Sequence, residues 1–171
     1  LIFCTYNYAR FGSISETGYK TQILDPEITH NRDIGMWSIK HFPKNLYLFL
    51  LKPPDVVYSG NLTIIIPLIP NKWGMGIIFT SPILLYLVLV DTKNKLNRIA
   101  SLSATLIALF LFGSFGLGAY QYGYRFALDF QPFLFLVLFD VFRKREIGFF
   151  TLAVIYLSFI FNLYMVFLKY S

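Results

Sequence analysis

Residues 99–142, IASLSATLIALFLFGSFGLGAYQYGYRFALDFQPFLFLVLFDVF, hold two apolar runs joined by a short polar neck. Ile99–Leu117 and Phe126–Phe142 contain almost nothing but apolar and small residues, and about 20 such residues span a bilayer's hydrocarbon. Two more runs flank them. Trp73–Val90 carries Pro82, tolerable as a kink if neighbours satisfy the freed carbonyl, and Ile147–Leu168 is the longest. The pattern predicts an all-α membrane protein with about four transmembrane helices in residues 73–171. Residues 1–9, LIFCTYNYA, predict the end of a fifth helix, followed by a long external loop with interfacial helices up to residue 72.

Composition agrees with this assignment. Charged residues make up 14% of the chain, against about 25% in soluble domains, and mean hydropathy is +0.58. One cysteine, Cys4, excludes an internal disulfide and a cysteine-based zinc site. His30 can be drawn beside Asp25, Glu27 and Asp33 as a ligand set, but a polar loop of this kind is simply solvated, so no metal and no cofactor is expected. The net charge of +6 is spread around the apolar runs and is not clustered with stacking aromatics, which argues against nucleic acid as a partner. The chain opens abruptly and without Met, so it is expected to be the C-terminal part of a longer protein.

The basic residues instead set an orientation. Lys93, Lys95 and Arg98 lie between the first two runs, and Arg143, Lys144 and Arg145 between the last two, whereas the neck has only Arg125. By the positive-inside rule the first two loops are cytoplasmic. Residues 10–72 and 118–125 then share the outer face. Within the outer segment, Thr21–Asp33 reads as a polar exposed loop. Ile34–Leu51, IGMWSIKHFPKNLYLFLL, is too short and too broken by Pro43 to span, so it is expected to lie on the membrane surface as one or two amphipathic helices. Lys52-Pro53-Pro54 stops it, and Asp55–Lys72, with Pro67 and Pro70, is expected to hug the membrane. Asn61-Leu62-Thr63 matches a glycosylation acceptor, a pattern that recurs by chance.

The neck is the candidate site. Arg125 and Asp129 stand four residues apart, which on an α-helix stacks them on one face within pairing reach. Tyr120, Tyr122 and Tyr124 crowd the approach as aromatics do at headgroup depth. Two roles stay open for the pair: an interfacial anchor in which Arg125 snorkels to phosphates, or a ligand site, the default for charges inside a membrane boundary. Gly113, Gly116, Gly118 and Gly123 suit close helix packing and chain exit.

YNYARFGSISETGY (Tyr6–Tyr19) and GYRFALDFQPFLFL (Gly123–Leu136) resemble segments of bacterial polytopic glycosyltransferase-like proteins of the GT-C superfamily, relatives of the dolichyl-phosphate-mannose protein mannosyltransferases. The matching positions are Asn7, Tyr8, Arg10, Phe11, Gly12, Ser13, Glu16, Gly18 and Tyr19, then Gly123, Tyr124, Arg125, Asp129 and Pro132. The resemblance implies sugar transfer from a polyprenyl-phosphate-linked donor on the outer face of a bacterial inner membrane, by a multi-pass protein. The family's acidic catalytic loop would precede Leu1, so no residue here takes a catalytic role by carry-over. Arg10, Arg125 and Tyr124 are candidates for donor binding, with Glu16 and Asp129 orienting the arginines or meeting sugar hydroxyls. Expected partners are membrane lipids, the lipid-linked donor, and further helices or subunits. No Walker A, GxGxxG, GxSxG or HExxH pattern is present. The alternatives are a non-catalytic subunit of a membrane complex, or part of a transporter, for which Asp140 and Asn162 are the polar residues within runs.

Overall fold

A computed structural model describes residues 2–20, 22–56, 68–116, 118 and 121–170. Asn61-Leu62-Thr63, Pro67 and Tyr120 lie outside the described residues. The chain is mainly helical. Its elements are α1 (Ile2–Phe11), α2 (Pro26–Ile34), α3 (Phe42–Leu50), a two-stranded antiparallel pair β1 (Asp55–Val56) and β2 (Leu68–Ile69), α4 (Ile77–Thr80), α5 (Lys95–Phe112), α6 (Gln131–Arg143) and α7 (Phe149–Tyr170), with 3₁₀ turns at Ile39–His41, Pro82–Leu89 and Arg125–Asp129.

Among the described residues, two helices are long and apolar enough to cross a membrane, within Lys95–Phe112 and Phe149–Leu168. At 1.5 Å per residue the 18 residues of α5 extend about 27 Å, close to the hydrocarbon thickness. The other two expected spans are not single α-helices, and proline explains both breaks. Pro82 lacks an N–H and clashes one turn back, so α4 stops at Thr80 and the chain continues as the tighter Pro82–Leu89 turn. Pro132 is tolerated only in a helix's first turn, so α6 starts at Gln131 and its 13 residues extend about 20 Å.

Small residues set the packing of the long helix. Ala100 and Ala104, one turn apart on α5, are buried, as are Val137, Leu138 and Val141 on α6, the helix that packs against α5. The chain crosses repeatedly between the two ends of α5. At its C-terminal end gathers an aromatic core of Phe49, Phe112, Tyr124 and Phe130, with ring centroids 5.2–6.4 Å apart.

The loop before residue 72 is more ordered than a polar segment suggests. Thr21–Asp33, expected as an exposed loop, contains α2. Asp25 caps it by accepting from the Glu27 N–H at 3.0 Å, Pro26 opens the first turn, and Ile28 and Asn31 are buried. This Asp-Pro-Glu start is a readable N-terminal signal that the polarity of the segment obscured. Pro43 does not divide Ile34–Leu51 into two helices; it sits in the first turn of α3 and starts it. Asp55–Lys72 is partly paired, with Asp55 opposite Ile69 and Val56 opposite Leu68.

α3 docks on the end of α5. Asn45, fully buried, donates from Nδ2 to the Phe112 carbonyl at 2.8 Å and to the Ser114 carbonyl at 2.9 Å. The first is a terminal carbonyl that a helix cannot satisfy internally, and the second lies two residues beyond the end of α5. The Ser38 N–H donates to the Gly113 carbonyl at 2.8 Å, and the Trp37 indole N–H to the Phe110 carbonyl at 3.0 Å. Gly113, expected to serve helix–helix approach, instead receives this indole: a Cβ there would overlap the ring of Trp37. Segment 35–56, the end of α5 and the Gln121–Arg125 neck therefore share one end of the molecule.

Candidate functional site

The neck runs back beside Trp73–Gly76. The Met75 N–H donates to the Tyr122 carbonyl at 2.9 Å, and Gly74, at φ 90°, comes so close to Gly123 that a Cβ would lie 2.8 Å from its carbonyl oxygen. Gln121 braces the crossing. Its Nε2 donates to the Trp73 carbonyl at 2.6 Å, and its Oε1 accepts from the Arg125 N–H at 3.1 Å. Tyr122 donates from its hydroxyl to Asn162 Oδ1 at 2.6 Å, and Asn162 Nδ2 donates to the Thr80 and Ser158 carbonyls at 2.9 and 2.7 Å. α7 is thereby tied to the same junction.

These crossings enclose a cavity of about 380 Å³ whose wall includes Thr80, Gln121, Tyr122, Tyr124, Arg125 and Gln131. Its size falls within the range of small-molecule sites. Burial pushes the Tyr122 phenol up to about 12 and raises that of Tyr124 as well, so neither hydroxyl acts as a base at neutral pH. The Tyr124 hydroxyl is buried and has no partner among the described residues.

The sequence-predicted residues separate. Arg125 and Tyr124 line the cavity; Asp129, Arg10 and Glu16 do not. The expected Arg125–Asp129 pair is not formed. Residues 125–129 are a 3₁₀ turn, in which three residues per turn put positions i and i+4 about 120° apart instead of on one face. The Arg125 guanidinium lies 5.8 Å from the Phe126 ring and has no carboxylate partner among the described residues. Arg10 donates to the Tyr6 hydroxyl at 2.7 Å and stands over the Phe11 ring at 5.1 Å. Glu16 does not orient it: its carboxylate accepts from the Gly18 N–H at 2.9 Å and pairs with Lys20 at 3.6 Å. The loop acids have other partners, Asp25 pairing with Lys72 at 3.2 Å and Glu27 with Lys44.

Thr80, Gln121 and Gln131 escaped the sequence reading. The signal that pointed to them was the glycine pair Gly74 and Gly123, where two backbones approach with no side chain between.

The opposite end is a polar knot. Asp140, buried, accepts from Asn97 Nδ2 at 2.8 Å and Arg143 at 2.9 Å and pairs with Lys144 at 3.0 Å; Lys144 also reaches Asp91 at 3.0 Å. Compared with protein-family models, with curated proteins and with solved structures, the chain matches none.

Proposed function

We propose that this chain is the C-terminal membrane portion of a glycosyltransferase that takes its sugar from a polyprenyl-phosphate donor on the outer face of a bacterial inner membrane. The chain supplies donor-binding surface and no catalytic residue. One observation carries this: a cavity of about 380 Å³ in which a guanidinium without a carboxylate partner among the described residues stands beside two protonated phenols. Guanidinium offers a planar fork to phosphate oxygens, and the Tyr124 hydroxyl, without a partner among the described residues, is a donor left for a phosphate or sugar oxygen. The resemblance of Gly123–Leu136 to GT-C proteins points the same way.

The four-span bundle belongs to this proposal. The broken segments 73–90 and 125–143 join the same two ends that α5 joins, so they cover the same thickness without being continuous α-helices. Within the two candidate spans only 22% and 11% of the residues are buried, which suits helices facing lipid and not the core helices of a soluble domain. A transporter has less support, because Asn162 and Asp140 are both taken up by internal hydrogen bonds. A subunit of a membrane complex is supported by the exposed apolar side of α7, including Phe149, Phe159 and Phe167, which another helix would cover as well as lipid does.

Arg125→Lys keeps the charge but loses the fork. In the membrane-reconstituted protein it is expected to weaken binding of a polyprenyl-phosphate sugar about tenfold or more, as loss of a charge-assisted bond costs roughly 1.5–3 kcal/mol. Donor affinity equal to the parent's would reduce Arg125 to an interfacial anchor. Orientation is checked separately. In a Cys4→Ala background, a cysteine at exposed Lys40 is expected to react with an impermeant maleimide in whole cells, and one at exposed Lys93 only after lysis. The reverse pattern would put the cavity on the cytoplasmic side.

A further inference from the structure

The first turns of α5 hold a second cavity, of about 600 Å³, at the end of the molecule away from the donor site. Its wall includes Val90, Thr92, Lys95, Arg98, Ile99 and Leu102. Three features belong together there. Lys95 and Arg98 lie one turn apart, are exposed, and have no carboxylate partner among the described residues. The neighbouring acids do not neutralise them, since Asp91 is held by Lys144 and Asp140 by Arg143 and Lys144. Asn97, buried in the same wall, keeps a side-chain oxygen without a hydrogen-bond partner among the described residues. Directly along the helix, Ile99, Leu102 and Leu106 are exposed and apolar.

A ligand that satisfies this wall has a phosphate for the two cations, an O–H for the amide oxygen, and hydrocarbon for the apolar strip. We propose that the cavity binds an anionic glycerophospholipid with a hydroxyl-bearing headgroup, drawn from the leaflet at the N-terminal end of α5, its acyl chains lying along Ile99–Leu106. The cations engage the phosphodiester, whose hydration they replace at the boundary of the hydrocarbon, where each is worth more than in bulk water. The site rests on reading α5 as a membrane-crossing helix. It is independent of Arg125 and of the donor.

Native mass spectrometry of the detergent-purified protein with dioleoyl phosphatidylglycerol tests it. Lys95→Gln/Arg98→Gln is expected to lower retention of phosphatidylglycerol roughly tenfold, since two phosphate-facing cations are removed. Lys95→Arg is expected to preserve it. Phosphatidylcholine, which lacks both net charge and headgroup hydroxyls, is expected to be retained more weakly, and free glycerol phosphate not to compete. Equal retention by the double variant, or equal retention of the two lipids, overturns the proposal; competition by glycerol phosphate would make it a site for a soluble phosphate instead. Both variants are checked by melting, which exposed side chains without partners should not change. Extraction of the parent from membranes by alkaline carbonate, by contrast, would overturn the membrane reading of α5 itself.

Discussion

Replacing Phe130 by alanine is expected to destabilise the protein by about 3–5 kcal/mol, the usual cost of removing a fully buried aromatic ring. Phe130 is 2% exposed and ends the 3₁₀ turn that carries Arg125, one residue before α6 begins. Its ring meets Phe49 at 5.2 Å and Phe112 at 6.3 Å, so it joins the loop helix α3, the end of α5 and the start of α6. The loss is therefore expected near the upper end for a large-to-small change, and with it the cavity wall at Tyr124 and Arg125. Thermal unfolding in detergent measures it. A variant that melts within a degree or two of the parent would mean that this aromatic cluster does not hold the junction.

Asn45→Ala is the second large effect, with an expected loss of about 2–4 kcal/mol. Asn45 lies with Leu48 and Phe49 on the buried side of α3, and its amide nitrogen donates to two carbonyls at the end of α5. Removing it leaves the Phe112 and Ser114 carbonyls without that donor and opens a small void. Each stranded buried acceptor costs about 1–3 kcal/mol. The change should be local before it is global. Trp37, which donates to the Phe110 carbonyl, is one of only two tryptophans in the chain and reports on this joint. Its fluorescence is expected to shift at a lower temperature than the loss of helical signal. A single coincident transition at the parent's temperature would show that Trp37, Ser38 and the aromatic cluster suffice to dock α3 without the amide.

Both effects concern contacts between segments far apart in the chain, and that is where the sequence was least legible. Composition and run length sufficed for a helical protein with long apolar segments, because a helix satisfies its own backbone and the apolar pattern is local. The runs Ile99–Leu117 and Ile147–Leu168 overlap most of α5 and α7 for that reason. Charge asymmetry assigned the loop and the Gln121–Arg125 neck to one membrane face, an orientation that the cysteine-labelling experiment tests. Pro82 and Pro132 were visible but were read as a tolerable kink and as part of a motif. Their actual effect, to end one helix at Thr80 and to start another at Gln131, is again local chemistry that the sequence already contained.

Only the tertiary structure decided who partners whom. An i, i+4 spacing pairs Arg125 with Asp129 if the segment is α-helical, but Pro132 downstream and the aromatic contacts of Phe130 make it 3₁₀, and the two side chains part. Asn45 as a cap for α5, Trp37 at the end of α5, and Asn162 as the tie between Tyr122 and Thr80 join residues 40 to 82 positions apart in the hydrogen bonds that make them. No periodicity encodes such pairs, because the partner of a helix's last carbonyls is set by whichever segment the chain folds back against them. The cavity wall follows the same rule: Thr80, Gln121 and Gln131 meet there because Gly74 and Gly123 let two backbones touch, a fact of packing and not of pattern.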